Sequence, residues 1–147
     1  MRRAFTLLEL IIVIVILGIL ATLAYNQYTK QVESSRLAEA QTRIGTMRQL
    51  TLEYYMKYGT VAGIQNSDVE VDSFCHPDSF YGFWVEGPYP GDGVRLFAQR
   101  CVVGGKTPNA ARTYYFYLQY YPGTGQGTWC CYDPDSNPCF GYPVSSP

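Results

Sequence analysis

The chain has 147 residues, a formal net charge of −1 and 47% hydrophobic residues. That is enough for one domain, and a charge so near zero excludes a strong electrostatic pull toward nucleic acid. No basic cluster and no Walker-type loop is present, so nucleotide-directed chemistry has no support either.

The first segment sets the terms for the rest. Between Glu9 and Lys30 lie 20 residues without a charge, the length of a helix that crosses a hydrocarbon core. Arg2 and Arg3 stand just before it and stay cytoplasmic under the positive-inside rule. The remainder then faces outward. The cysteines agree, since all five lie between Cys75 and Cys139, where an oxidising compartment can staple a small domain. Glu9 is the anomaly. A carboxylate costs roughly 2.5–3.5 kcal/mol at a bilayer centre and less near its edge. It is tolerated when paired, or when it snorkels to the interface. A cleaved secretory signal, cut after Thr22-Leu23-Ala24 to leave Tyr25 first, is the competing reading. Glu9 inside the apolar run opposes it, and so does a helical pattern that continues past Ala24.

The run Ala4-Phe5-Thr6-Leu7-Leu8-Glu9, followed by Leu10 to Ala24 with Gly18 inside, resembles the amino terminus of the type IV pilin superfamily. That family includes the type IV pilins and the pseudopilins of type II secretion. The resemblance implies that a prepilin peptidase cuts between Ala4 and Phe5, removes the leader 1–4 and methylates the new amine of Phe5. It also implies an assembly role for Phe5 and Glu9: Glu9 of an incoming subunit neutralises the amine of its neighbour. Two positions depart from the family pattern. Ala4 replaces the usual glycine before the cut, which implies slower processing. Asn26 replaces a frequent helix proline, which implies a straighter helix there, because Asn keeps the N–H that proline lacks.

Residues 30–58 change character. Leu37, Ala40, Ile44, Met47, Thr51, Tyr54 and Tyr58 recur at steps of three and four, the spacing of one helix face. Glu39 and Arg43 form an i,i+4 pair on the polar side, and Gly59 reads as the C-cap. One helix is expected over Phe5–Tyr58, roughly 80 Å long at 1.5 Å per residue.

Residues 60–79 lack a period and form a connecting loop, with a short strand near Val69–Val71. Four strands follow, at Phe80–Glu86, Val94–Val103, Thr113–Tyr121 and Gly127–Tyr132, punctuated by Gly87-Pro88, Gly104-Gly105 and Pro122-Gly123. Short connections favour an antiparallel meander. In the third strand, Tyr114, Phe116, Leu118 and Tyr120 share one face, and Tyr115, Tyr117, Gln119 and Tyr121 the other. One set covers the helix stripe; the other meets water or a neighbouring subunit. Cross-strand packing explains the tyrosines better than sugar binding or charge transport.

The end of the chain reads W-C-C-Y-D-P-D-S-N-P-C-F-G-Y. Resemblance to pilins implies a disulfide-bounded loop here. Cys139 is spaced to pair with Cys130 or Cys131, which point to opposite faces of a strand. Cys75 and Cys101 are candidates for a second bridge, and the odd cysteine is a free thiol or an intermolecular link. Asp133, Asp135 and Asn137 look like the start of a calcium loop, but Pro138 and Val144 stand where glycine and an acid belong. Cys75-His76 lacks the further ligands a zinc site needs. No cofactor is therefore expected, with calcium the weak candidate. No nucleophile elbow or metalloprotease helix occurs, and the single histidine, His76, reads as a loop residue, so no enzyme activity is expected.

The expectation is an α+β, pilin-like fold: leader 1–4, transmembrane and assembly helix 5–29, amphipathic helix 30–58, and a β head 59–147. The chain would be a filament subunit, single-pass in the inner membrane before assembly and extracellular or periplasmic after it. Its partners would be related subunits, prepilin peptidase and an inner-membrane assembly platform. The alternatives are a secretion pseudopilin and an anchored or secreted binding module.

Overall fold

The computed structural model of the chain describes residues 6–110, 113–134 and 140–144. Helix α1 runs from Leu7 to Tyr58. The strands are β1 (Tyr81–Tyr89), β2 (Gly93–Arg100), β3 (Tyr115–Tyr121) and β4 (Gln126–Tyr132). They form one antiparallel sheet in the order β1-β2-β3-β4, the meander expected from the short connections. The chain divides into two compact units, Met1–Arg36 and Leu37–Pro147.

In the first unit the apolar side chains have no inside. The large apolar residues from Leu7 to Leu23 are each 45–76% exposed. The stretch Ile11–Ile16 consists only of isoleucine and valine, residues that favour strands in water. In lipid, every backbone polar group must be satisfied within its own segment, and a single span then has to be helical. The helix is long and apolar enough to cross a membrane, with mean hydropathy 2.9 over its most apolar window.

In the second unit α1 is amphipathic, and its stripe is the core. Leu37, Ala40, Ile44, Met47 and Thr51 are buried, and the first four cluster with Tyr81, Phe83, Leu96, Phe116, Leu118 and Tyr120 of the sheet. The Thr51 hydroxyl is satisfied by Met47 O at 2.8 Å. The stripe fades at its end: Tyr54 is half-buried and Tyr58 exposed. Gly59 closes the helix with φ +73°, its N–H bonding Tyr55 O at 2.7 Å, as a left-handed C-cap does.

The expected short strand at Val69–Val71 is a correction. Asn66–Val69 is a 3-10 turn with a capping box between Gln65 and Asp68, and it drops Val69 into the core. The local cap outcompetes strand propensity: β1 runs alongside, but the segment turns back on itself, with the Val71 N–H bonding Asn66 O at 3.0 Å. The Glu39–Arg43 pair is a second correction. Glu39 accepts from Ser79 Oγ at 3.0 Å and from the Phe80 N–H at 2.9 Å. Arg43 instead donates to Glu70 O at 2.6 Å. Both charges tie the helix to the following loop. Strand two ends at Arg100 rather than Val103, since Cys101 is bridged to Cys75 and Val103 stands exposed.

The face of β3 beneath the helix carries Phe116, Leu118 and Tyr120, all buried, and Tyr114 just before the strand is buried too. The opposite face is less open than expected, because Tyr117 is buried as well. One register row there is Trp84, Phe97, Tyr117 and Cys130. Trp84 stacks on Phe97 at 4.8 Å, Phe97 meets Tyr117 at 4.9 Å, and the Arg95 guanidinium lies 5.6 Å from the Tyr117 ring. These neighbours seal the ring.

Arg100 has no counterpart in the sequence reading. It is fully buried and donates to the carbonyls of Phe80 at 3.0 Å, Cys101 at 3.3 Å and Thr107 at 2.7 Å. It joins the start of β1 to the loop after β2, beside the Cys75–Cys101 bridge. That bridge spans 26 residues, worth roughly 3–4 kcal/mol on a chain-entropy model. Arg100→Met strands these buried carbonyls. We expect it to cost roughly 3 kcal/mol, read as a lower urea midpoint of tryptophan fluorescence; an unchanged midpoint would remove Arg100 from the account.

Candidate assembly site

The sequence singled out a cut between Ala4 and Phe5, and both residues lie outside the described ones. Glu9 is described. It sits in the first turn of α1, and its surroundings contain a feature the sequence reading passed over. Glu9 Oε2 accepts the Thr6 N–H at 2.9 Å and the Thr6 hydroxyl at 2.8 Å, while the Glu9 N–H donates to Thr6 Oγ1 at 3.3 Å. Thr6 is thus the N-cap and Glu9 the third helical residue of a capping box. The signal, Thr-x-x-Glu before an apolar run, is present in the sequence. The carboxylate also faces the positive end of the helix dipole. These contacts use one oxygen. Oε1 accepts no bond among the described residues, so the group remains able to face a cation from another chain.

The cysteines resolve in part. Cys75 and Cys101 form a disulfide. Cys131 is disulfide-bonded, whereas Cys130 is a buried free thiol held in the aromatic row on the other face of the sheet. Strand alternation separates the two neighbours as expected. Cys139 lies outside the described residues, as do Asp135 and Asn137 of the calcium candidate. Asp133 is buried. Among the described residues no three metal-binding side chains gather.

His76 lies in the loop before β1 and faces Asp72, its Nε2 2.9 Å from both carboxylate oxygens. The hydrogen bond to Asp72, helped by the Asp72 and Asp78 charges, raises the His76 pKa above the usual 6.5. The bond to His76 holds the Asp72 carboxyl below 3.8.

Residues 1–25 match the family model described as the prokaryotic N-terminal methylation motif. The chain therefore carries an N-terminal methylation motif, of the type IV pilin and pseudopilin class, that overlaps the start of α1. It is also similar to the fimbrial protein EcpC of Eikenella corrodens, 41% identical over 58 residues that cover 40% of this chain. The match spans 38% of that relative's length.

Protonated His76 is favoured in the folded chain, so its contribution is present below pH 6.5 and is lost as pH rises through the raised pKa. The Asp72 contribution is present above 3.8 and is lost as pH falls through the depressed one. The pair therefore holds the loop between those two limits. Both side chains are about half exposed, at 55% and 52%, so the effect on stability is small. NMR titration should place His76 above 6.5, and Asp72→Asn should bring it back. A wild-type midpoint at or below 6.5 would contradict the pairing.

Proposed function

We propose that the chain is a structural subunit of a type IV pilus-like filament. A prepilin peptidase cuts it between Ala4 and Phe5 and methylates the new amine. Until assembly the apolar helix rests in the inner membrane, with the sheet unit outside the cytoplasm; afterwards related subunits surround that helix. The observation that carries this reading is the all-round exposure of Leu7–Leu23, behind a methylation motif and a carboxylate, Glu9, in the first turn. A bilayer satisfies the apolar surface first, and neighbouring helices satisfy it later through packing. The relative's description as a fimbrial protein supports an appendage over a secretion pseudopilin, although the motif serves both.

Within that filament, Glu9 neutralises the Phe5 amine of an adjoining copy. The capping box supplies a rival reason for Glu9, and one substitution separates the two. Gln at this position keeps the cap but cannot neutralise a cation. If the charge matters, Glu9→Gln and Glu9→Ala both insert in the membrane and both fail to enter filaments. The deficit should lie between about a hundredfold and several thousandfold, since stranding a buried charge costs about 3–5 kcal/mol. If Glu9→Gln assembles like the parent, the cap alone explains the residue. Amino-terminal sequencing of the sheared fibre should return N-methylphenylalanine; Tyr25 as the first residue would point to a signal peptide instead.

A further inference from the structure

The apolar run of α1 meets its polar needs inside the helix. From Leu10 to Ala24 the one polar side chain is Thr22, and its hydroxyl donates to Ile19 O at 2.7 Å. A lipid-facing span requires this internal satisfaction. The next turn differs. Tyr25 and Tyr28 are each 68% exposed, and at a spacing of three they share one side of the helix. Among the described residues neither hydroxyl has a hydrogen-bond partner. Lys30, also exposed, is the first charge after Glu9.

Each of these tyrosines joins an apolar ring to a polar tip. Such side chains are favoured where hydrocarbon gives way to headgroups, because the ring lies against acyl chains while the hydroxyl reaches phosphate, glycerol or water. Deep in a bilayer both hydroxyls would be stranded. In bulk water both rings would stay uncovered. The Lys30 stem can follow the same boundary with its ammonium in the headgroups.

The other end of the run supplies a length. Glu9 lies 16 residues before Tyr25 and 19 before Tyr28. At 1.5 Å per residue that is roughly 24–29 Å along the axis, against a hydrocarbon core of about 30 Å. With the tyrosine hydroxyls in one headgroup layer, Glu9 stands at the edge of the other, where a carboxylate costs least.

We propose that Tyr25 and Tyr28 form an interfacial collar: they bind the phospholipid headgroup layer on the non-cytoplasmic side and set the depth at which the helix holds Glu9. The proposal rests on the membrane reading given above and adds to it a boundary and the residues that fix it.

The test is fluorescence quenching of the full chain in phosphatidylcholine vesicles whose acyl chains carry bromine either close to the headgroup or near the chain end. Tyr25→Trp, Tyr28→Trp and Leu17→Trp each add a reporter to the parent's Trp84 and Trp129 background. The added emission of Tyr25→Trp and Tyr28→Trp should be quenched chiefly by the shallow bromine, and that of Leu17→Trp, midway along the run, chiefly by the deep one. Combining Leu17→Trp with Tyr25→Ala and Tyr28→Ala should move its reporter off centre, with loss of part of the deep quenching. If positions 25 and 28 are quenched by the deep bromine or by neither, the collar is overturned and the membrane reading stands. An unchanged Leu17→Trp profile in the alanine background overturns the control of depth. Shallow quenching that disappears on diluting the chain in lipid overturns the headgroup layer as the partner, in favour of another copy. Absence of any quenching at Leu17→Trp overturns both the collar and the membrane reading.

Discussion

An apolar helix with no cover from its own chain is the constraint on which everything else turns. From Leu7 to Leu23 no side chain finds an interior, so this stretch is stable only where something apolar surrounds it. Burying that surface is worth about 25 cal/mol per Å², far more than any single polar contact in the molecule. Apolar surface of this kind is stable in lipid or against other apolar helices. One carboxylate at its start must be compatible with both settings. Among the described residues the Thr6 cap engages one of its oxygens.

The sheet unit obeys different rules. It stands in water, buries the amphipathic half of the same helix, and needs reinforcement because the core is small. Three devices supply it. The Cys75–Cys101 bridge clips the loop before β1 to the end of β2. Arg100 gathers carbonyls from both sides of that clip. Asp92, at the β1–β2 turn, accepts from Thr60 Oγ1 at 2.9 Å and from the Val61 N–H at 3.2 Å, holding the turn to the loop that follows the helix. These contacts tie the loop after α1 and the two strands beyond it into one body.

Much of this was legible in the residues, for reasons that can be named. Periodicity exposed the long helix and its stripe; Pro122-Gly123 marked the end of β3, but Gly87-Pro88 did not end β1, which runs on to Tyr89. Alternation sorted Cys130 from Cys131 and the two faces of β3. What was hidden depends on contacts distant in sequence. No local pattern announces that Arg100 is buried, that Tyr117 is sealed by β2, or that Glu39 and Arg43 prefer loop backbone to each other. The turn at Asn66–Val69 misled because Val69 and Val71 have strand propensity, whereas the capping box between Gln65 and Asp68 holds a turn there. The cap of Thr6 and Glu9 was fully visible, yet a charge inside an apolar run drew the eye away from its helix-starting role.

The central claim is electrostatic and intermolecular: the Glu9 carboxylate is neutralised by the processed amine of an adjoining copy. Solid-state NMR on filaments mixed from two populations, one carrying carboxyl-labelled glutamate and the other nitrogen-labelled phenylalanine, measures this directly. The account predicts a contact within about 4 Å between Glu9 of one population and the Phe5 nitrogen of the other. A contact seen only when both labels share a chain, or none at all, would contradict it.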